Sequence, residues 1–165
     1  MTEPVNDTEG GPSVQVVCFV IDGALYALDI MRIKEIIRPV PITRVPMAPS
    51  FVEGIVELRG AFLPLIDLRR RFGMEPRAVG PGGDHSKYVI VGLEGRIVGL
   101  AVDDVADRRQ IAESEIRPPP PLGMARHFFA GVVKSEGEVV MVLDLDAILS
   151  DAEKDQLRGM ESAQA

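Results

Sequence analysis

The 165-residue chain has no tryptophan, two tyrosines, two histidines and one cysteine. A lone cysteine closes no disulfide within the chain and supplies no cysteine metal cluster. Cys18 lies inside an apolar run, VVCFVI, and reads as a small buried hydrophobe. His85 and His127 have no motif around them and read as solvent-facing. With so few rings, no platform for stacking nucleic-acid bases is expected. Positive charge is also short, with 18 Lys and Arg against 25 Asp and Glu and a formal net charge of −7. That balance opposes a general nucleic-acid binder, which needs a basic footprint. No apolar run approaches the ~18 residues of a membrane helix. The opening residues, MTEPVNDTEGGPS, lack the basic and apolar regions of a secretory signal, so a cytoplasmic protein is expected.

A catalytic centre is equally hard to find. It would need nucleophile, base and oxyanion stabiliser in one cluster. The strongest acidic pairs, Asp103-Asp104 and Asp144-Leu145-Asp146, lack the alternating oxygen ligands and glycine of a calcium loop, and read as caps of turns and helices. Gly80–Gly83 with Lys87 lacks the GK[ST] ending of a phosphate loop and reads as a linker. Arg69, Arg70 and Arg71 are the one dense basic patch and read as a solvated helical face. No metal, no cofactor and no enzymatic activity are expected, which leaves a binding module.

What the chain does have is repetition. Arg44–Gly73 contains two apolar strands meeting at Arg59-Gly60, where glycine at the second turn position supplies the positive φ of a tight hairpin. Pro64, within the second strand, is expected at an edge or bulge. An offset of 77 residues lays SFVEGIVELRGAFLPLIDLRRRF over HFFAGVVKSEGEVVMVLDLDAIL without a gap, matching Gly54 to Gly131 and Gly60 to Gly137. An offset of 72 lays VCFVIDGALYALDIMRI over VIVGLEGRIVGLAVDDV, matching Gly23 to Gly95. Two hairpins in one order occur twice, the mark of an internal duplication.

Hydrophobic residues make up 46% and charged residues 26%, enough for the core of one domain or of two small interlocked ones. Residues 1–13 read as a disordered tail and 14–150 as the folded domain, with a Gly/Pro-rich hinge near 74–87. Residues 151–165 are a C-terminal helix or tail, in a helical pattern that starts at Asp146 and runs to Met160. Strands are expected at Val14–Ile21, Leu25–Leu28, Tyr88–Leu93, Arg96–Val102, Gly131–Ser135 and Val139–Leu143, besides the Arg44–Phe72 unit. Ile30, Ile33, Ile36 and Ile37 recur at helical spacing, so a short helix capped by Asp29 is expected, ended by Pro39 and Pro41. In ADRRQIAESEI a short turn is expected near Ser114 or Glu115, and Pro118–Pro121 crosses the surface in extended form. The fold class is mainly β: two small five-stranded barrels, SH3-like, with short helices.

With these residues in hand, the chain resembles the CheW family of chemotaxis coupling proteins. The resemblance rests on FVIDGALYALDIMRIKEII (19–37), ITRVPMAPSFVEGIVELRGAFLPLIDLRRRFG (42–73), VGLAVDDVADRRQI (98–111) and IRPPP (116–120). It implies a non-catalytic adaptor that couples transmembrane chemoreceptors to a histidine kinase, recruited to receptor arrays at the inner membrane. It implies a groove between the barrels for the receptor's cytoplasmic tip, and barrel ends that pair with the kinase regulatory domain. Matched by motif, Ile33 and Glu35 (on the helix after the second strand), Gly54, Arg59, Tyr88 and Val89 are the receptor-binding candidates. Ile42, Thr43, Arg44, Val45 and Arg108 are kinase-binding candidates at one end, with Arg117 and Leu122 at the other. For Ile33 a core role competes, and for Arg59 an internal salt bridge. Glu57 stands where the family usually has Asn; pairing between Glu57 and Arg59 would alter partner choice, which keeps open an adaptor for another chemosensory pathway, such as surface motility, lacking one of the usual contacts.

Overall fold

Four two-residue turns organise the molecule: Asp22-Gly23, Arg59-Gly60, Glu94-Gly95 and Glu136-Gly137. In each, both residues have positive φ, 52° to 56° at the first position and 78° to 85° at the glycine. That is the primed turn whose twist matches the strands it joins. The computed structural model describes residues 11–74, 86–121 and 127–164, with side chains to 158. Most of the expected tail, most of the hinge, Gly80–Gly83, His85 and Leu122 lie outside the described residues. The strands are β1 (Ser13–Ile21), β2 (Ala24–Asp29), β3 (Ile33–Ile37), β4 (Val52–Leu58), β5 (Ala61–Asp67), β6 (Lys87–Leu93), β7 (Arg96–Val102), β8 (Asp104–Ala112), β9 (Phe129–Ser135) and β10 (Glu138–Leu143). Helix α1 (Leu68–Arg71) follows β5, and α2 (Asp151–Gln164) closes the chain.

The strands form two five-stranded sheets, ordered β8-β1-β2-β10-β9 and β3-β6-β7-β5-β4. If β6–β10 repeat β1–β5, the two orders are the same. Each SH3-like barrel takes its first hairpin from one repeat and its other three strands from the other, so the duplicated halves are interlocked. Parallel contacts join them, β2 to β10 and β5 to β7.

Alternation along the strands divides the side chains into three cores. Val16, Cys18, Ala27 and Val140 fill the first barrel. Tyr88, Ile90, Leu63 and Leu65 fill the second. Phe19, Ile21, Val89, Val91, Leu100 and Ile66 face the opposite way, into a larger core shared between the barrels. Burial pushes the Cys18 thiol up to about 11, as befits a structural thiol.

The duplication extends to irregularities. Registers slip at Lys34 and Ala106, 72 residues apart, and at Glu53 and Ala130, 77 apart. Each barrel is closed by one antiparallel bridge outside the main strands, Thr43 to Ile55 and Arg117 to Val132. A Cβ on Gly54 would stand 2.6 Å from the Thr43 carbonyl oxygen, and one on Gly131 would stand 2.6 Å from that of Arg117. The matched glycines therefore occupy matching environments, where close backbone approach excludes a side chain.

Several expectations need correction. Ile33–Ile37 is strand β3, paired with β6 from Ile33↔Val91 to Ile37↔Tyr88. The β-branched run IKEII suits a pleated surface better than a helix. Only Ile30–Arg32 turns helically, and there the Asp29 carboxylate does cap, accepting from the Met31 N–H. The charged segment DVADRRQIA, not among the expected strands, is strand β8 on β1 at a sheet edge, and the turn expected near Ser114 or Glu115 follows it at Glu113–Glu115. The C-terminal helix starts at Asp151 rather than Asp146. Ser150 and Glu153 form a capping box there, each accepting from the other's N–H. Pro64 is on an interior strand, not at an edge or bulge. Its partner Ile55 uses both N–H and C=O on Thr43, and the ladder to β7 starts only at Leu65, so the missing donor leaves no gap.

Of the three arginines after β5, only Arg70 is exposed, and Arg69 and Arg71 are not on a solvated face. Arg69 grips Asp103 with Nη2–Oδ2 at 2.8 Å, and Asp103 also accepts the Asp22 N–H, tying the β1–β2 turn to the other barrel. Arg70 lies 3.1 Å from Glu53, a contact without hydrogen-bond alignment. Arg71 pairs with Glu153 of α2 at 2.6 Å and lies over the Phe128 ring. The acidic residues Asp103 and Asp146 are likewise ion-pair partners, Asp146 with Arg32.

Candidate functional site

At one end of the second barrel, the bulge at Lys34 lets Glu35 approach the β4–β5 turn. There Arg59, held at φ 52°, extends back across the seam between β3 and β4. The pair is bidentate, with Nη1–Oε2 at 2.5 Å and Nη2–Oε1 at 2.8 Å. Hydrogen bonding to Arg59 holds the Glu35 carboxyl below its ordinary range. Beside it lies a cleft of about 320 Å³, walled by Lys34, Glu35 and Arg59 and floored by Leu58, Leu63, Ile90 and Ile97. The Arg59 side chain is 74% exposed. A planar cation is thus pinned on one side by a carboxylate, with its remaining donors and an aliphatic floor open to a partner. The arrangement suits recognition of a polypeptide surface bearing both a hydrogen-bond acceptor and an apolar side chain.

The matching place in the first barrel has diverged. The 77-residue offset puts Glu136 where Arg59 stands, and the 72-residue offset puts Asp107 where Glu35 stands. There Arg109, with a side chain only 5% exposed, bridges Asp107, Glu138 and the Ser135 carbonyl. That seam is filled by a buried arginine, whereas the Arg59 seam presents an exposed one.

The receptor candidates are thereby sorted. Glu35 and Arg59 come together at the cleft. Ile33 is half-buried against the shared core, on β3 and not on a helix. Gly54 is buried under the Thr43 bridge. Tyr88 and Val89 are 1% and 0% exposed, in the second barrel's interior and the shared core respectively, so neither can touch a partner at this surface. Alternation on β6 sends the two to opposite faces, and both faces are covered. Arg59 pairs with Glu35, not with Glu57, whose strand position lies opposite Phe62. The sequence reading missed the exposed apolar residues Phe62 and Ile97 around this end.

The kinase candidates lie on both barrels. Thr43 and Arg44 are exposed, with Ile42 and Val45 half-buried, along the segment that closes the second barrel. Arg108 is exposed on β8 of the first barrel, the barrel that Arg117 closes. Arg117 borders a second cleft of about 430 Å³ with Glu115, Lys134 and the valines Val132, Val133 and Val139. No helix among the described residues is long and apolar enough to cross a membrane.

Comparison with known proteins gives this geometry its context. A model of the CheW-like domain matches residues 15–153. The chemotaxis protein CheW of Treponema pallidum is 30% identical, over 94% of this chain and 91% of that protein. Its namesake in Rhizobium meliloti is 32% identical, over 90% and 94%, and the protein FrzA of Myxococcus xanthus is 30% identical, over 86% and 88%. Among solved structures, the scaffolding protein TtCheW of Thermoanaerobacter tengcongensis superposes with a TM-score of 0.77 at 34% identity, over 86% of this chain and 96% of that one. With two barrels of this topology and a family match across nearly the whole described fold, the chain belongs to the CheW-like domain family.

Proposed function

We propose that the protein is a non-catalytic coupling adaptor in chemotaxis-type signalling. It joins the cytoplasmic tip of transmembrane chemoreceptors to the regulatory domain of a histidine kinase, and works in the cytoplasm at receptor arrays. The observation that carries this reading is the open Glu35–Arg59 cleft: an exposed, oriented guanidinium over an aliphatic floor, on a scaffold whose relatives are named as chemotaxis and scaffolding proteins. A helical hairpin tip supplies both the carboxylates or carbonyls and the apolar side chains that such a cleft accepts. The kinase domain is assigned to Ile42–Val45 with Arg108, and to Arg117 on the segment that closes the first barrel.

Arg59→Ala tests the receptor half. Arg59 and Glu35 form a solvent-screened pair, so the melting temperature should stay unchanged. Affinity for a soluble helical hairpin carrying the receptor tip should fall by about tenfold or more, as for a hot-spot arginine. A lower melting temperature with undiminished affinity per folded molecule would make the pair a brace of the hairpin and refute the assignment.

A further inference from the structure

Pro46-Met47 is the centre of a four-residue turn, closed where the Ala48 N–H donates to the Val45 carbonyl at 3.2 Å. Met47 has a φ of 61°, a region in which glycine or asparagine is usual and a long side chain is strained. The same side chain is fully exposed, at 101% of its reference area. At that exposure the side chain packs on nothing among the described residues. The mount is rigid: Val45 and Ala48 pack against the shared core, Phe51 is buried, the Val52 N–H donates to the Pro49 carbonyl, and two prolines restrict the backbone. The 77-residue offset also lays Val45 over Leu122 and Met47-Ala48 over Met124-Ala125, so the duplicated sequence carries this apolar residue twice. Strain kept at a surface position points to function. A preorganised thioether loses little entropy on binding and adapts to irregular pockets.

We propose that Met47 is the apolar anchor of the partner-binding end formed by Ile42–Val45, inserting into an apolar pocket on the kinase regulatory domain. This rests on the adaptor reading above, and continuity with Ile42–Val45 assigns the occupant.

Calorimetric titration of the kinase regulatory domain, alongside thermal melts, tests it on three proteins: wild type, Met47→Asn and Met47→Leu. Asparagine tolerates the positive φ, so Met47→Asn should melt ~2–4 °C higher, a gain of the size one relieved backbone strain gives in a chain of this length. The same variant should bind the kinase domain at least about tenfold more weakly, as when an interface anchor is removed. Met47→Leu keeps apolar bulk and should retain affinity within about threefold. Kinase affinity unchanged in Met47→Asn would overturn the proposal, as would equal losses in both variants. If Met47→Asn abolished only self-association, the anchor would serve a second copy of the chain, which also overturns it. A wild-type protein that failed to bind the kinase domain at all would defeat the adaptor reading itself, before any variant is compared.

Discussion

Replacing Gly54 by alanine should open the second barrel. The added Cβ would stand 2.6 Å from both the Thr43 carbonyl oxygen and Ile42 Cγ2, and the first of these is backbone that cannot swing away. Relief requires moving the 42–43 segment off β4, which breaks the Thr43 N–H to Ile55 O bond at 2.9 Å and the Ile55 N–H to Thr43 O bond at 2.8 Å. Two hydrogen bonds contribute ~1 kcal/mol each, and residual overpacking costs ~1–3 kcal/mol, so a loss of about 3–5 kcal/mol is expected. For a domain of this size that lowers the melting temperature by roughly 10 °C. Gly131→Ala meets the Arg117 carbonyl at 2.6 Å in the same way and should cost a similar amount. Gly92→Ala is the control: its Cβ would meet the flexible Lys34 side chain at 3.4 Å and the Arg96 carbonyl oxygen at 4.0 Å, an ordinary contact, and should be tolerated. Calorimetric melts of the three variants, with amide exchange at Thr43 and Ile55, provide the readout. If Gly54→Ala and Gly131→Ala melted with Gly92→Ala, or if one were severe and the other neutral, equivalence of the barrel closures would be wrong.

Arg69→Ala should destabilise by about 3 kcal/mol, because it deprives the largely buried Asp103 carboxylate of its gripping cation; urea unfolding should show a lower midpoint with an unchanged m-value. Burial raises the pKa of Asp67, with the Arg69 N–H pulling the other way, so folding favours its protonated form and ionisation above the ordinary aspartate range costs stability. Asp67→Asn keeps the side-chain acceptor that caps α1 and removes the charge. It should therefore raise the melting temperature at neutral pH, with the gain shrinking as pH falls below the ordinary aspartate value; a gain that persisted there would refute the burial argument.

Local grammar is legible along the chain. Asp22-Gly23, Arg59-Gly60, Glu94-Gly95 and Glu136-Gly137 announce four hairpins because a two-residue turn needs positive φ at both positions and glycine supplies it at the second. The offsets of 72 and 77 residues announce two equivalent units, and the LRG…LPLIDLR string a family, because all of these are properties of neighbours along the chain. Partners far apart in the chain are another matter, chosen when the sheets close and pack. Offsets say which strands are alike, not which ones pair, and the reciprocal exchange of hairpins arises because Phe19, Val89, Ile66 and Leu100 can be dried together only in a core that both halves line. That packing turned Ile33–Ile37 from a helical pattern into a strand with β6 to pair with. It drew Tyr88 and Val89 inward, since β6 is covered on both faces, and made Arg69 a tie between the barrels and Arg71 a tie to α2. It also chose Glu35 over Glu57 as the mate of Arg59. Glu57 is two residues away but lies opposite Phe62 on the hairpin, whereas Glu35 is 24 residues away and is delivered to the guanidinium by a bulge in a strand that exists only because the barrel closes.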